Sequence, residues 1–171
     1  MQIIARVSFD EVMQRFRHDC DGFEHPVNTN TTARANIRHA DALLYGWTHV
    51  FLSRDEAIKI VLPWHLGEHG GITLVPKTGL RVQDTVQRLE RIKDSYQREN
   101  PACWNKLDLM TRADFSAIFL STQPIPTKDY DGIVGMTGLF HLDGLHRLVA
   151  WEMASRLAEV EIEAFIAGHL P

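Results

Sequence analysis

Excess positive charge, long apolar runs, internal repeats and cysteine clusters are all missing from this chain, and each gap removes a class of function. Lys and Arg together number 18 against 22 Asp and Glu, a formal net charge of −4. A chain with that balance is not a general polyanion binder; nucleic-acid binding would need a local basic stripe. No window approaches the roughly 20 apolar residues that cross a bilayer. The stretch from Met1 to Asp10 has no apolar run of the signal-peptide kind. The expectation is a cytoplasmic protein with no membrane partner. Two cysteines, Cys20 and Cys103, are too few for a disulfide scaffold. They share no metal-type spacing, so both read as reduced, structural thiols.

What remains is an ordinary globular composition. The 171 residues are 44% hydrophobic and 23% charged, which suits one domain with a buried core. Ser8 followed by Glu11 has capping-box form and predicts a first helix near 9–18. Asp19 to Thr32 reads as a loop, with Gly22, Pro26 and a polar tract. Thr31 or Thr32 caps a second helix that Gly46 ends. Residues 47–53 and 57–62 read as two strands of a short hairpin, and 72–75 as another strand. Val82, Val86, Leu89, Ile92 and Tyr96 recur at three or four and predict an amphipathic helix over 82–100. Its charges alternate in sign, the pattern of a solvated face. Pro101 interrupts it, with a short helical piece through Met110. Strands at 116–121, 137–142 and 160–167 and a helix over 144–156 complete the order. The whole reads as a single α+β domain over 1–171: a helical N-terminal extension at 1–46 and a compact mixed sheet with flanking helices at 47–171.

Chemistry concentrates where the strand ending at Leu142 turns through Asp143-Gly144 into a helix. The first amides of a helix lack partners inside it and carry partial positive charge. Glycine allows close approach or a positive φ, so the turn suits a phosphate or a carboxylate. Arg147 adds a fork of donors, and His146 a proton that moves near neutral pH. Asp143 is either the helix N-cap or a functional carboxylate. His141 lies on the same strand face as Asp143 by alternation. Asp129 and Asp131, in the loop before, are weaker acidic candidates and read first as a polar surface loop. His18, His25 and His39 sit in polar surroundings and need no role. The four tryptophans, Trp47, Trp64, Trp104 and Trp151, read as core or partial core.

His65-Leu-Gly-Glu-His69 spells H-x-x-E-H, a zinc-protease motif that works only on a helix. Pro63, Gly67, Gly70 and Gly71 oppose a helix there. The segment is read instead as a loop that brings one histidine or Glu68 to the pocket, and no metal ligand is assigned.

Phe140-His-Leu-Asp-Gly-Leu-His-Arg-Leu-Val-Ala150 resembles the signature of the ParB-like / sulfiredoxin superfamily, in which Asp-Gly-x-His-Arg leads into an apolar helix. The resemblance covers roughly 114–167 and implies a core of that fold in the C-terminal part. It implies phosphate or nucleotide binding by Gly144, His146 and Arg147, with Asp143 at the pocket edge. Leu145 stands where sulfiredoxin itself carries a cysteine, which disfavours sulfinic acid reduction. The chromosome-partitioning members' Arg-rich motif and DNA-binding helices are not evident. The small-molecule branch, similar to free-serine kinases, is left. It implies phosphoryl transfer from ATP or ADP with magnesium to a hydroxylated metabolite, with Asp143, His146 and His141 as catalytic candidates. The alternatives are a biosynthetic enzyme of the same fold that takes a carboxylate or phosphate without nucleotide, and a ParB-like nucleic-acid-associated regulator.

Overall fold

The computed structural model describes residues 1–20 and 30–170. Gly22, His25 and Pro26, and with them most of the expected 19–32 loop, lie outside the described residues.

The sheet is built from seven strands: β1 (Gln2–Val7), β2 (Trp47–Leu52), β3 (Val61–Leu62), β4 (Leu80–Arg81), β5 (Ile118–Ser121), β6 (Phe140–Asp143) and β7 (Ile162–Ala167). Their order is β1-β2-β7-β5-β6-β3-β4. The β5–β7 and β3–β6 pairs are parallel and the rest antiparallel. The described residues also form six α-helices: α1 (Phe9–Cys20), α2 (Asn30–Leu44), α3 (Arg54–Ala57), α4 (Val82–Glu99), α5 (Pro101–Met110) and α6 (Leu145–Met153). This is the expected α+β architecture, a mixed sheet with flanking helices.

Strand alternation divides the core in two. On β5, Ile118 and Leu120 join one apolar cluster with residues of α4, α5 and α6. Ala117 and Phe119 point the other way, into a cluster with Val12, Met13 and Phe16 of α1 and Ala33, Ile37 and Ala40 of α2. β7 splits likewise: Ile162, Ala164 and Ile166 face the first cluster, Phe165 and Ala167 the second. Period-two alternation on central strands thus dictates a three-layer arrangement.

Several boundaries follow local chemistry as expected. Ser8 and Glu11 close the capping box: the Ser8 amide donates to the Glu11 carboxylate at 2.7 Å and the Glu11 amide to Ser8 Oγ at 3.3 Å. α4 buries Val82, Val86, Leu89 and Tyr96 and exposes charges of both signs. Trp47 and Trp151 are core, and Trp64 and Trp104 half-buried.

Other expectations are corrected. The 1–46 segment is not a helical extension: it opens with β1, which pairs antiparallel with β2, and α1 and α2 form a full layer over the sheet. β1 escapes pattern reading because five of its six residues are exposed, so no apolar alternation marks it. The 47–62 hairpin does not form. Ser53 and Glu56 make a second capping box, with the Glu56 carboxylate accepting from the Ser53 amide at 2.9 Å. That turns 54–57 into α3 and sends the chain across the sheet, where β3 lies beside β6 and β4. The 72–75 strand reduces to one bridge between His65 and Val75. Past α6, the expected helix to 156 gives way at Ser155, whose φ is +58°, to a short 3-10 turn at Arg156–Ala158.

Candidate functional site

β6 ends at Asp143, and the chain reverses at Gly144 into α6. Gly144 has φ +106°, and a Cβ placed on it would lie 2.7 Å from Ile118 Cγ2. Both the backbone conformation and the packing on β5 therefore require glycine here. The first intrahelical bond runs from the Leu148 N–H to the Gly144 carbonyl at 2.9 Å. Amides ahead of it stand outside the helical ladder. This helix start opens onto a cavity of about 660 Å³.

Both layers wall the cavity. Asp19 of α1 and Asn30, Thr32, Ala33 and Asn36 of α2 line one side; Cys103, Lys106 and Met110 of α5 line the other. The loop after β3 contributes Trp64, His65 and Glu68, and β6 and α6 contribute His141, Asp143, Gly144, His146 and Arg147. Every principal site residue expected from the sequence is thus brought to one space. Asp129 lines it too; Asp131 does not, and is exposed. His18 and His39 are exposed, as expected.

Of the two roles expected for Asp143, helix cap or functional carboxylate, the first does not hold. Asp143 is not the N-cap of α6; that position is Gly144. Asp143 pairs instead with Arg147, one helical turn on, at 2.5 Å. The same guanidinium donates to Ser116 Oγ at 2.5 Å and to the Ala117 carbonyl at 2.9 Å. Arg147 therefore ties the end of β6 to the approach of β5, and much of its donor fork is occupied within the protein. His141 is buried, 8% exposed, and neither ring nitrogen has a hydrogen-bond partner among the described residues. Burial holds its pKa down at about 4, against an upward pull from the Asp143 carboxylate. It is a neutral imidazole at neutral pH, able to donate from one nitrogen and accept at the other.

The loop after β3 is a loop and not a zinc-protease helix, as Pro63 and the glycines predict. Its geometry is fixed from α4 and α5. Asn100, fully buried between them, accepts from the Glu68 amide at 2.6 Å and donates to the Ile72 carbonyl at 3.0 Å. Glu68 returns the contact by accepting the Cys103 amide at 2.6 Å, placing a carboxylate at the start of α5. Gly67 admits no side chain, since a Cβ would fall 2.2 Å from the Gly71 carbonyl oxygen. These bonds carry His65 and Glu68 to the cavity and leave His69 exposed.

Cys103 is the residue that sequence reading misses. Its Sγ lies 3.2 Å from His146 Nε2, 3.8 Å from His65 Nε2 and 3.0 Å from the Tyr96 hydroxyl. The two imidazoles meet edge to face, 4.8 Å between centroids. Burial raises the thiol's pKa, the Tyr96 hydroxyl opposes that, the Glu68 carboxylate adds to it, and Lys106 opposes it. Burial also lowers His65 to about 4, with Lys106 acting in the same direction. No spacing rule announces this trio, because His65 and His146 stand 38 and 43 residues from Cys103.

The fold and the site define a three-layer α+β protein with a helix-start cavity rich in histidine and carboxylate. The chain belongs to the family of unknown function DUF6309, whose model matches residues 1–171. No curated protein and no solved structure matches it. No described helix is long and apolar enough to cross a membrane.

Proposed function

We propose that this protein is a small-molecule enzyme that holds an anionic substrate group, phosphate or carboxylate, at the start of α6. One observation carries the reading: the Gly144 turn and the first turn of α6 open into a roughly 660 Å³ cavity beside the buried His141 ring, whose nitrogens have no partner among the described residues. That volume suits a metabolite-sized ligand. The helix start supplies oriented amides and partial positive charge, and Lys106, which also lines the cavity, adds a full positive charge. His141 and His146 are the candidate proton carriers. Asp143 and Arg147 act mainly by holding the turn in place.

The resemblance of residues 140–150 to ParB-like / sulfiredoxin proteins supports a nucleotide as the anion, with phosphoryl transfer as the reaction and magnesium as its ion. The donor set favours the nucleotide-free alternative. Magnesium wants oxygen ligands, while among the described residues the ligand atoms that converge in this cavity are two imidazoles and a thiol. Arg147, the expected phosphate clamp, is engaged by Asp143, Ser116 and Ala117.

Calorimetry tests both. ATP, ADP and CTP, each with and without magnesium, are titrated alongside inorganic phosphate and small dicarboxylates. Binding of one of these classes is expected, with Lys106→Gln weakening it about tenfold or more, the worth of one charge-assisted contact. Magnesium-dependent ATP binding selects the kinase-like reading. Anion binding indifferent to the nucleotide selects the alternative. No binding by any of them, or affinity unchanged in Lys106→Gln and in His146→Gln, overturns the proposal.

A further inference from the structure

The geometry points to a second function for the same wall of the cavity: we propose that His65, Cys103 and His146 form a three-ligand site for a zinc-class divalent ion, with its fourth position turned to the cavity. The inference shares His146 with the anion site but needs no substrate to be true.

The ligand atoms come from three separate elements and converge. His65 lies on the loop after β3, Cys103 in the first turn of α5 and His146 in the first turn of α6. All three ligand atoms lie within 4.8 Å of one another. Zinc–sulfur bonds of about 2.3 Å and zinc–nitrogen bonds of about 2.05 Å, set tetrahedrally, put sulfur and nitrogen roughly 3.6 Å apart. The observed separations of 3.2 and 3.8 Å bracket that value. Two imidazoles and one thiolate suit zinc and its neighbours and not magnesium or calcium. Three protein ligands with one open position is the arrangement of a reactive zinc site, where structural sites close all four. Each of the three lines the cavity.

A bound cation would take the place of the thiol proton and use one lone pair from the sulfur and one from each imidazole. The surroundings are those of a supported ligand set. Tyr96 holds the sulfur, Glu68 holds the Cys103 amide, and Asn100 holds the loop that carries His65. Glu68 supplies a negative charge nearby, against the positive charge of Lys106.

The test uses the full chain, stripped with chelator and titrated with cobalt(II), then zinc(II). One cobalt per chain is expected, with a near-ultraviolet thiolate-to-cobalt charge-transfer band and the visible bands of a four-coordinate ion, bleached by zinc. Cys103→Ser abolishes the charge-transfer band. His65→Ala and His146→Ala each cost more affinity than Tyr96→Phe, which removes only a supporting bond and costs about 10–100-fold. His69→Ala, at an exposed residue outside the cavity, changes nothing. A second measurement covers variants that fail to fold: with Cys103 intact and Cys20→Ser as background, zinc protects the remaining thiol from alkylation. Absence of the charge-transfer band, a band that survives Cys103→Ser, or alkylation of Cys103 at the same rate with and without zinc overturns the proposal. Rapid alkylation without zinc dependence assigns Cys103 to a metal-free thiol–imidazole pair instead.

Discussion

Gly144 and Arg147 show how closely single residues here are tied to the turn that opens the site. Alanine at 144 meets two obstacles, a φ of +106° and an Ile118 methyl group 2.7 Å from the new Cβ. Strain of that backbone kind and overpacking each cost about 1–3 kcal/mol. Gly144→Ala is expected to lose roughly 2–4 kcal/mol, read from the midpoint of urea unfolding. Arg147 is a different case. It and Asp143 are 14% and 16% exposed, and the guanidinium bonds Ser116 and Ala117 as well. Arg147→Ala strands a largely buried carboxylate and two further acceptors, and about 3 kcal/mol of stability goes with it. If Arg147 were chiefly a ligand clamp, the substitution would weaken binding with little change in unfolding. The double variant Asp143→Asn, Arg147→Gln is expected to lose less than the sum of the two single changes, the signature of direct coupling.

At the scale of elements, the joint between α4 and α5 governs the loop after β3. The Asn100 side chain bridges Glu68 and Ile72 and is fully buried. Asn100→Ala leaves the half-buried Glu68 amide and Ile72 carbonyl without this partner, at about 1 kcal/mol each. Amide exchange across residues 65–72 is expected to accelerate, while that of β5 and β7 stays slow. An unchanged exchange pattern in the loop would contradict this account. The same joint shows what can be read from sequence. α4 announces itself by period, and β6-Gly144-α6 by its strand, glycine and helix, because both patterns are local. So is the argument that Gly67, Gly70 and Gly71 oppose a helix. Asn100 carries no such mark: a polar residue before a proline reads as a helix boundary and nothing more. Cys103 reads as structural when its spacing is compared only with that of the other cysteine. Its partners are imidazoles brought from distant segments by the sheet order. β1 hides for the opposite reason, since an edge strand with almost no buried face has no pattern to show. Ser53 and Glu56 do carry a local helix signal, but the apolar runs on either side of them favour a hairpin by pattern alone.

For the whole molecule, the buried histidines set an acid limit on stability. His141 titrates near 4 in the fold, against 6.5 when exposed, because burial disfavours its charged form. Between those values the unfolded chain binds a proton that the folded chain does not. Stability is therefore complete above about pH 6.5 and falls as the pH drops toward 4. The limit for His141 alone is about 3 kcal/mol, and His65 acts in the same direction. Unfolding midpoints measured from about pH 7.5 to 4 should fall along this course, and His141→Leu should flatten it. A midpoint that rises on acidification would refute the neutral, buried assignment.

The cavity has one more consequence. Its walls belong to different layers of the protein, α1 and α2 on one side and α5 and α6 on the other. A compound that fills it bridges two halves of the core that otherwise meet through the sheet. Whatever binds there only in the native state stabilises it by mass action, by about 2.7 kcal/mol at a hundredfold excess over Kd, and so raises the melting temperature. Heat is thus a search tool: a library of metabolites, each judged by how far it delays melting of the unaltered chain, would find the natural occupant before the reaction itself is identified.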